Sequence, residues 1–297
     1  MRIIILPLST SSRLIITQRI ASHPLPPRID DRLAQRAHII WSKWENSTTW
    51  WKIKVTKWGN AAMDRISYDE WSLKGVPRSP FGLFPSRPKK WWEFWKGSDD
   101  LKDREALMGT KRVPLLYPPH LIKEHEAVES VRQLAEKGLP YHFKYMLLSL
   151  VGAPLTLPVA LIPLIPNIPG FYMLYRIWSH WKAWEGAKLL KRIVDENKLV
   201  LEPSHAIEIV YHSEAPIIVD MPDSPEGEKM LLQDSQVATL AKAMDAEEVQ
   251  AELHRALAQV RARIRKELEK KEKEKEKEKE KEKEKEEEER NKNGDAA

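Results

Sequence analysis

The stretch "APLTLPVALIPLIPNIPGFY", residues 153–172, decides which kind of helical protein this sequence encodes. It carries no charged side chain, as a membrane helix would, yet it is rich in proline. Because proline removes a backbone donor and kinks a helix, the stretch does not fit one regular helix. The prolines in it are Pro154, Pro158, Pro163, Pro166 and Pro169.

The charge-free run extends on both sides of this stretch, from Tyr145 to Tyr175. Its length lies between one helical bilayer crossing, which needs about 20 residues, and two, which need about 40. Basic residues flank both ends, and the positive-inside tendency places such flanks on the same side of a membrane. We therefore expect a proline-turned re-entrant membrane hairpin over about residues 145–175. Two alternatives stay open: one kinked membrane span, and a proline-rich hairpin buried in a soluble core.

Polar and aromatic residues mark the end of this hairpin. Asn167 is its most polar side chain, and we expect the amide to bond local backbone in a turn. Residues 171–197 then read as one helix, whose tryptophans lie where apolar sequence gives way to charged sequence. Tryptophan suits such a boundary, because its ring is apolar and its N–H needs a partner. The predicted interfacial residues are Trp178, Trp181 and Trp184.

The N-terminal segment, residues 1–29, contains arginine and hydroxyl residues but no acid. This composition is typical of a mitochondrial transit peptide. The β-branched run "RIIILPL" at residues 2–8 also fits an ordinary N-terminal strand followed by a turn. Targeting segment and strand both stay open, and they do not exclude each other.

Residues 30–112 divide into a helix and a linker. An apolar stripe with several tryptophans and basic neighbours predicts one amphipathic helix over residues 30–74. Such a helix lies either in a membrane interface or against a core. Proline and glycine then interrupt residues 75–112, which we interpret as a linker that contains "KKWWEFW" at residues 89–95.

The rest of the chain divides into a core and a C-terminal extension. Residues 113–215 hold the hairpin, preceded by a helix from about residue 120 to 136 that we expect Gly138 and Pro140 to end. A loop is expected over residues 216–233. Residues 234–268 predict an amphipathic helix, with a capping box at Asp245 and Glu248 and a narrow apolar stripe suited to a partner helix. Residues 269–297 form a Lys/Glu-rich tail, which is either a solvated helix or disordered.

The composition and the absence of known motifs exclude several classes of catalytic and binding site. The chain has 297 residues, a net charge of +5 and no cysteine, so disulfides and thiolate metal sites are excluded. Phosphate-loop, dinucleotide, zinc-protease and serine-nucleophile motifs are not present, nor are nucleic-acid-binding motifs. Asp69 and Glu70 are adjacent, so we expect them to face apart. We predict no enzyme activity, no cofactor, no metal site and no nucleic-acid partner. The predicted fold class is a mainly α, membrane-associated protein with a proline-rich apolar hairpin and a charged C-terminal tail.

Two stretches carry a resemblance to a known family. They are "KRVPLLYPP" at residues 111–119 and "SLVGAPLTLPVALIPLIPNIPGFYMLYRIWSHWKAWEGAKLL" at residues 149–190. They resemble the fungal mitochondrial potassium–proton exchange-related proteins, and the resemblance covers most of residues 1–215. Its most specific part is "PNIPGFYMLYRIWSHWKAW" at residues 166–184. The resemblance implies a location at the mitochondrial inner membrane and a part in potassium–proton exchange.

The residues themselves qualify that implication. Proteins that exchange protons for cations usually have a carboxylate or histidine inside the membrane, and residues 145–175 contain neither. We therefore expect a subunit or regulatory factor of an exchange system, held in membrane lipid by the hairpin and bound to a protein partner through residues 234–268. The alternative is a membrane-bound adaptor or scaffold with no role in ion flux. Whether potassium contacts this chain stays open.

Overall fold

The computed structural model describes residues 1–18, 29–76, 112–160, 167–212 and 228–294. Within them the chain is mainly helical and contains one four-stranded sheet in the order β2-β1-β3-β4. β1 pairs antiparallel with β2 and parallel with β3, and β3 pairs parallel with β4. The strands are β1 (Arg2–Pro7), β2 (Arg13–Gln18), β3 (Val113–Tyr117) and β4 (Leu199–Pro203).

The α-helices of the described residues come after β2, after β3 and after β4 in the chain. They are α1 (Ile29–Glu45), α2 (Trp50–Asp64), α3 (Tyr68–Gly75), α4 (Glu124–Gly152), the short α5 (Leu157–Ala160), α6 (Ile168–Asp195), α7 (His205–His212), α8 (Asp234–Ala243) and α9 (Gln250–Gly294). Two 3-10 turns, Ala153–Thr156 and Glu247–Val249, precede α5 and α9.

The sheet is covered on both faces. Successive side chains of a strand point to opposite faces, and β1 is apolar at every position from Ile3 to Leu6. Ile3 and Ile5 belong to a buried cluster with residues of α3, α4 and α6, whereas Ile4 and Leu6 belong to one with residues of α7, α8 and α9. The fold therefore has three layers with β1 at its centre.

α4 and α6 form an antiparallel hairpin that joins β3 to β4. Near the sheet, Arg132 of α4 lies 3.8 Å from Asp195 of α6. At the other end, the Asn167 side chain donates a hydrogen bond of 3.0 Å to the Thr156 carbonyl oxygen. The chain thus leaves the sheet along α4 and returns along α6, so the alternative of one kinked membrane span is wrong.

The distal part of this hairpin is exposed rather than buried. Val151 and Leu155 keep 71% and 79% of their surface accessible. The other large apolar side chains exposed there are Leu147, Leu148, Leu150, Leu157, Phe171 and Leu174. Among the described residues the hairpin arms are therefore not buried as a core hairpin would be, and residues 161–166 lie outside the described residues. Among the helices that the structure describes, none is both long and apolar enough to cross a membrane.

The segment over residues 30–74 is three helices and not one. The polar residues 46–49 separate α1 from α2, and Ser67 begins α3 by accepting a hydrogen bond from the Asp69 N–H. The ring of Trp44 contacts those of Trp41 and Trp51, at centroid distances of 6.5 and 5.5 Å. Trp44 and Trp51 therefore pack α1 on α2 at the break, whereas Ile40 and Trp58 of the same stripe are exposed.

The helix predicted to end at Gly138 and Pro140 instead continues to Gly152, with Pro140 in its interior. Pro140 itself is exposed, whereas Gly138 and His142 on either side of it are buried. Tertiary packing of these neighbours holds the helix together where the missing proline N–H weakens it.

The C-terminal segment also differs from expectation. Residues 234–268 contain two helices, because Asp245 adopts a left-handed φ of 51° between α8 and α9. The capping box is at Gln233 and Gln236 and not at Asp245. The apolar stripe packs into the chain's own second core cluster, through Leu253, Leu257, Val260 and Ile264. A partner at residues 234–268 stays a prediction, but that stripe is already covered.

The remaining segments are these. Residues 1–18 form the β1–β2 hairpin, as the strand alternative describes. Residues 77–111 of the predicted linker, residues 213–215 at the end of the predicted core and residues 216–227 of the predicted loop lie outside the described residues. The Lys/Glu-rich tail continues α9 as a helix to Gly294.

Candidate functional site

At the base of the hairpin, α3 is wedged against both α4 and α6. A Cβ on Gly138 would lie 2.5 Å from Leu73 Cδ1, and one on Gly186 would lie 2.0 Å from the Leu73 carbonyl oxygen. Only glycine permits backbones to approach this closely. Glu70 lies one turn before Leu73 on the same face of α3, so the wedge carries its carboxylate into the hairpin.

The Glu70 carboxylate is buried and fully bonded. Arg176 of α6 holds both of its oxygens, with Nη1 2.9 Å from Oε1 and Nη2 3.1 Å from Oε2. The Ser179 hydroxyl donates to Oε1 at 2.5 Å. Burial raises the pKa of Glu70, but the hydrogen bond from Ser179 and the charge of Arg176 outweigh it and leave the pKa below its usual value. Glu70 is therefore an ionised carboxylate in the interior.

Two buried histidines continue this network. Arg176 Nη2 lies 2.7 Å from His180 Nε2, and His180 Nδ1 lies 3.0 Å from His142 Nδ1. A guanidinium only donates hydrogen bonds, so His180 Nε2 accepts. The neutral His180 ring then carries its proton on Nδ1 and donates a hydrogen bond from there to His142 Nδ1. Because His142 Nδ1 accepts, the proton of the His142 ring is on Nε2. The contacts thus fix the tautomers of both rings.

Both rings are neutral at neutral pH. Burial lowers the pKa of His180 to about 4, and the charge of Arg176 acts in the same direction. Burial likewise lowers the pKa of His142 to about 4, against an opposing effect of the Glu70 carboxylate. A third proton on the pair would place two donors face to face at one of these contacts, so protonation breaks the network.

Glu70, His142 and His180 are also the kinds of side chain that bind metals. Each offers a ligand atom, and the three atoms lie within 4.8 Å of one another. Two histidines and a carboxylate form a donor set that zinc uses. However, a metal on His180 Nδ1 would force the proton to Nε2, where Arg176 already donates. The guanidinium occupies the place of a cation, and an ion binds here only if Arg176 leaves His180.

Aromatic rings and a lysine surround the cluster on the hairpin side. Tyr141 and Tyr145 of α4 pack on His180, at centroid distances of 6.3 and 5.8 Å. Lys74 of α3 donates to the Tyr175 hydroxyl at 3.0 Å and lies 5.5 Å from the centroid of Trp178. The cluster therefore lies at the level where exposed apolar sequence meets the folded base.

A cleft of about 540 Å³ also reaches the cluster. Glu70 and His142 line it, together with basic side chains of the β-hairpin, α4 and α9 and the carboxylate of Asp69. The Asp69 side chain is exposed at the wall of the cleft, although the surrounding protein desolvates its carboxylate and raises its pKa against the charges of Lys137 and Arg263. The cleft gives the buried histidine pair a route to solvent through His142.

A second group of histidines gathers around Glu208 of α7. The His205 ring lies 3.0 Å from Glu208 through Nδ1, His120 pairs with the same carboxylate, and the His120 backbone N–H donates to it at 3.1 Å. Both rings are exposed. This group ties the turn after β3 to α7, which is a structural role.

The residues predicted for the hairpin and its interface lie at the following positions in the structure. Asn167 caps α6: its side-chain oxygen accepts from the Gly170 N–H at 2.9 Å, so its amide bonds local backbone as expected. Trp178 lies beside Lys74 and Lys182, Trp184 packs on Phe143, and Trp181 is half-buried. Pro154, Pro158 and Pro169 are exposed, and Pro163 and Pro166 lie outside the described residues.

The sequence reasoning missed the buried cluster. It set Glu70 aside because Asp69 is adjacent. The two carboxylates do face apart, but in the structure Glu70 is buried whereas Asp69 is exposed. A usable signal was the spacing of Arg176, Ser179 and His180. Residues at i, i+3 and i+4 share one face of a helix, and a polar face in an otherwise aromatic helix needs a polar partner.

Comparison with known proteins adds the following. A family model described as mitochondrial K⁺–H⁺ exchange-related matches residues 2–194. An uncharacterised protein of Saccharomyces cerevisiae is 26% identical over 172 residues, which cover 57% of this chain and 54% of that protein. An uncharacterised protein of Schizosaccharomyces pombe is 28% identical over 215 residues, covering 70% of this chain and 81% of that protein.

The chain thus spans about half the length of the first of these relatives. No solved structure matches it.

Proposed function

Because the chain belongs to the mitochondrial K⁺–H⁺ exchange-related family, we propose that it contributes to potassium–proton exchange at the mitochondrial inner membrane as a subunit or regulatory factor. In this proposal the α4–α6 hairpin holds the protein in one leaflet of the bilayer. The folded base, with the sheet and the buried cluster, stays outside the hydrocarbon.

The observation that carries the proposal is the exposed apolar surface of the hairpin arms. From Tyr145 to Gly152 and from Ile168 to Tyr175, the chain has no charged side chain and exposes most of its large apolar ones. Monomeric proteins rarely leave a contiguous apolar surface uncovered unless something binds there. A lipid leaflet suits a surface that is apolar on both arms.

The dimensions agree with entry into one leaflet. Each of these arms has eight residues, and a helix rises about 1.5 Å per residue, which gives about 12 Å. Half of the hydrocarbon thickness is about 15 Å. Trp178 lies ten residues after Ile168, about 15 Å along α6, where an interfacial tryptophan is expected.

The buried cluster supports the link to proton exchange. Chains of carboxylate and histidine side chains carry protons in many membrane transport proteins. Glu70, His180 and His142 lie together at the base of the hairpin, next to a cleft, with Arg176 bridging the carboxylate and the histidine pair. Because Arg176 holds its charge there, we assign the cluster to coupling of the hairpin with the base and not to a complete ion path.

The test combines membrane attachment with ion flux in mitochondria that lack the protein. Cells would receive either the wild type or the hairpin variant Leu148→Asn/Leu155→Asn, each with tags at both termini. We expect the wild type to resist carbonate extraction with both tags on one side in protease protection, and to restore swelling in potassium acetate. The variant should lose both properties.

Ile209→Asn provides the matched control, because Ile209 is a large exposed side chain on α7, away from the hairpin. It should behave as the wild type does. Carbonate extraction of the wild type would overturn the hairpin anchor. Firm attachment with swelling that does not depend on the protein would overturn the exchange function and favour a membrane-bound adaptor.

A further inference from the structure

Two histidines meet at the carboxyl end of the sheet. β3 and β4 are parallel, and Tyr117 at the end of β3 pairs with Pro203 at the end of β4. His120 follows Tyr117 by three residues, and His205 follows Pro203 by two. The Ser204 N–H donates to the Tyr117 carbonyl oxygen at 2.9 Å and continues the pairing beyond the strands. The register of the two strands therefore brings both histidines to one edge of the sheet.

α7 adds a third histidine and a carboxylate to the same place. His205, Glu208 and His212 are spaced i, i+3 and i+7, so they lie along one face of this helix. The ring of His212 lies 6.4 Å, centroid to centroid, from that of His120. The three histidines and Glu208 line one open pocket of about 460 Å³ with Ile209, and we call it the edge pocket.

Glu208 fixes the protonation of two of these rings. Its side chain is only 7% exposed, whereas those of His120 and His205 are 72% and 75% exposed. His205 Nδ1 lies 3.0 Å from Oε2 of Glu208, and His120 Nδ1 contacts Oε1. A carboxylate only accepts hydrogen bonds, so both rings donate from Nδ1. In the neutral form each ring then has an unprotonated Nε2, and none of the described residues donates to either Nε2.

This arrangement is typical of histidines that bind a metal. A histidine that ligates a metal through one ring nitrogen usually donates its other N–H to a carboxylate, which orients the ring and fixes its tautomer. Glu208 accepts from two rings in this way. Three imidazoles and a water complete the tetrahedral coordination of zinc. Imidazole nitrogen suits zinc and its neighbours in the first transition row, whereas magnesium and calcium prefer oxygen ligands.

We propose that the three histidines of the edge pocket bind one divalent transition metal of the zinc type through their ring nitrogens, with Glu208 as a positioning residue. In His120 and His205 the ligand atom is Nε2. A bound ion joins the turn after β3 to α7 more firmly than the hydrogen bonds of Glu208 alone. The proposal is independent of the proposed function, because it requires neither a membrane nor the hairpin.

The proposal departs from the absence of a metal site that the sequence predicted. His120 is 88 residues away from Glu208 in the chain, so no local ligand spacing contains both. Only the pairing of β3 with β4 brings them together.

Isothermal titration calorimetry of the full chain without a polyhistidine tag would measure Zn²⁺ binding, at about pH 7.5 because metals bind the neutral imidazole. We expect one Zn²⁺ per chain. Zn²⁺ should also raise the midpoint of thermal unfolding, since an ion that binds only the folded chain stabilises it. Mg²⁺ and Ca²⁺ should not compete, and competition by them would indicate a carboxylate site and overturn the proposal.

Two variants test the ligand and the positioning residue separately. His212→Ala removes a ligand and leaves the hydrogen bonds of Glu208 intact, so it should cause the larger loss of Zn²⁺ affinity. Glu208→Gln puts an NH₂ group where one carboxylate oxygen was. That group donates to one Nδ1 and moves the proton of that ring to Nε2, which the metal needs. The affinity should fall by about 10- to 100-fold.

His254→Ala is the matched control. His254 is also an exposed histidine beside a carboxylate, with Nδ1 3.2 Å from Asp234 Oδ1, but it does not line the edge pocket. It should bind Zn²⁺ as the wild type does. Circular dichroism and thermal unfolding without metal would establish that each variant is folded.

The remaining outcomes contradict the proposal. It is overturned if the wild type does not bind Zn²⁺, or if it binds several ions weakly and His212→Ala and His254→Ala reduce this binding equally. Loss of binding in His142→Asn/His180→Asn with full binding in His212→Ala would place the ion in the buried cluster and overturn the edge pocket. Full affinity in Glu208→Gln would overturn the positioning role of Glu208.

Discussion

The two halves of the α4–α6 hairpin differ in environment although the same two helices form both. Near the sheet, Ala135, Ala187 and Leu190 have no accessible surface. Toward the tip, Val151 and Leu155 are exposed, and they belong to a charge-free part of the sequence. Between the halves lies the cluster around Glu70, which is polar, buried and fully bonded.

This difference separates the contacts that stabilise the fold from the apolar surface that is available for binding. The base buries small side chains against α3 and the sheet, so its contacts are complete within the chain. The tip has apolar surface that the described part of the chain does not cover. Substitutions at the base should therefore change stability, and substitutions at the tip should change binding.

The largest effect on stability is expected at the border between the halves, from Glu70→Gln. The substitution keeps the shape of the side chain but leaves the Arg176 charge without its partner. Removal of one member of a buried ion pair typically costs about 3–5 kcal/mol. The free energy of unfolding from urea denaturation would measure it.

The double variant Glu70→Gln/Arg176→Met tests the reason for this loss. It removes both charges, so it should be more stable than Glu70→Gln alone. A double variant less stable than either single variant would mean that the pair contributes mainly by shape, and that charge is not what joins the halves.

A smaller loss is expected where α3 is wedged into the base. In Gly186→Ala the new methyl group would overlap the Leu73 carbonyl oxygen, which belongs to the backbone and cannot turn away. Overpacking of this kind costs about 1–3 kcal/mol. In Gly138→Ala the methyl group meets the Leu73 side chain, which can adopt another rotamer. Thermal unfolding should therefore rank Gly186→Ala below Gly138→Ala, and the reverse order would contradict the wedge.

The wedge also explains which parts of the structure could be predicted from sequence. The β-branched run of β1, the long helix after Asn167 and the charge-free run are local patterns, and the structure has a strand, a helix and a hairpin there. The burial of Glu70 depends on α3 meeting α6, more than 100 residues later in the chain. No local sequence pattern predicts a contact between residues so far apart in the chain. The polar face at Arg176, Ser179 and His180 indicates only that α6 needs a polar partner.

Misplaced ends have a similar cause. Pro140 and Asp245 were interpreted from local preferences, as a helix end and as a helix cap. Packing of Gly138 and His142 carries the helix past Pro140, and the left-handed φ of Asp245 turns α8 away from α9. Tertiary contacts decided both positions.

A loss of stability is also expected from acid. His142 and His180 have pKa values of about 4 in the fold, below the ordinary value of 6.5. The unfolded chain therefore binds protons between pH 6.5 and 4 while the fold does not, so stability falls as pH falls through this window. Each pKa unit corresponds to about 1.4 kcal/mol, but the rings share a hydrogen bond and titrate together, which limits the sum.

Urea denaturation at several pH values would measure this dependence. In the variant His142→Asn/His180→Asn the loss between pH 6.5 and 4 should become smaller. The contribution of Glu70 should remain, because its lowered pKa places its loss below about pH 4.5, in a different range. An unchanged loss between pH 6.5 and 4 would mean that other groups cause it.

The smallest effect on stability is expected at the tip, from Leu155→Asn and Leu157→Asn. Both side chains are more than half exposed, and exposed substitutions usually change the free energy of unfolding by less than about 0.5 kcal/mol. If the hairpin enters a bilayer as proposed, the same variants should bind vesicles more weakly, because each removes apolar surface from the proposed anchor. The counterpart at the base, Leu190→Ala, should cost about 2–5 kcal/mol. If the tip variants were as unstable as Leu190→Ala, some part of this chain would cover the tip, and the surface attributed to lipid would belong to the core.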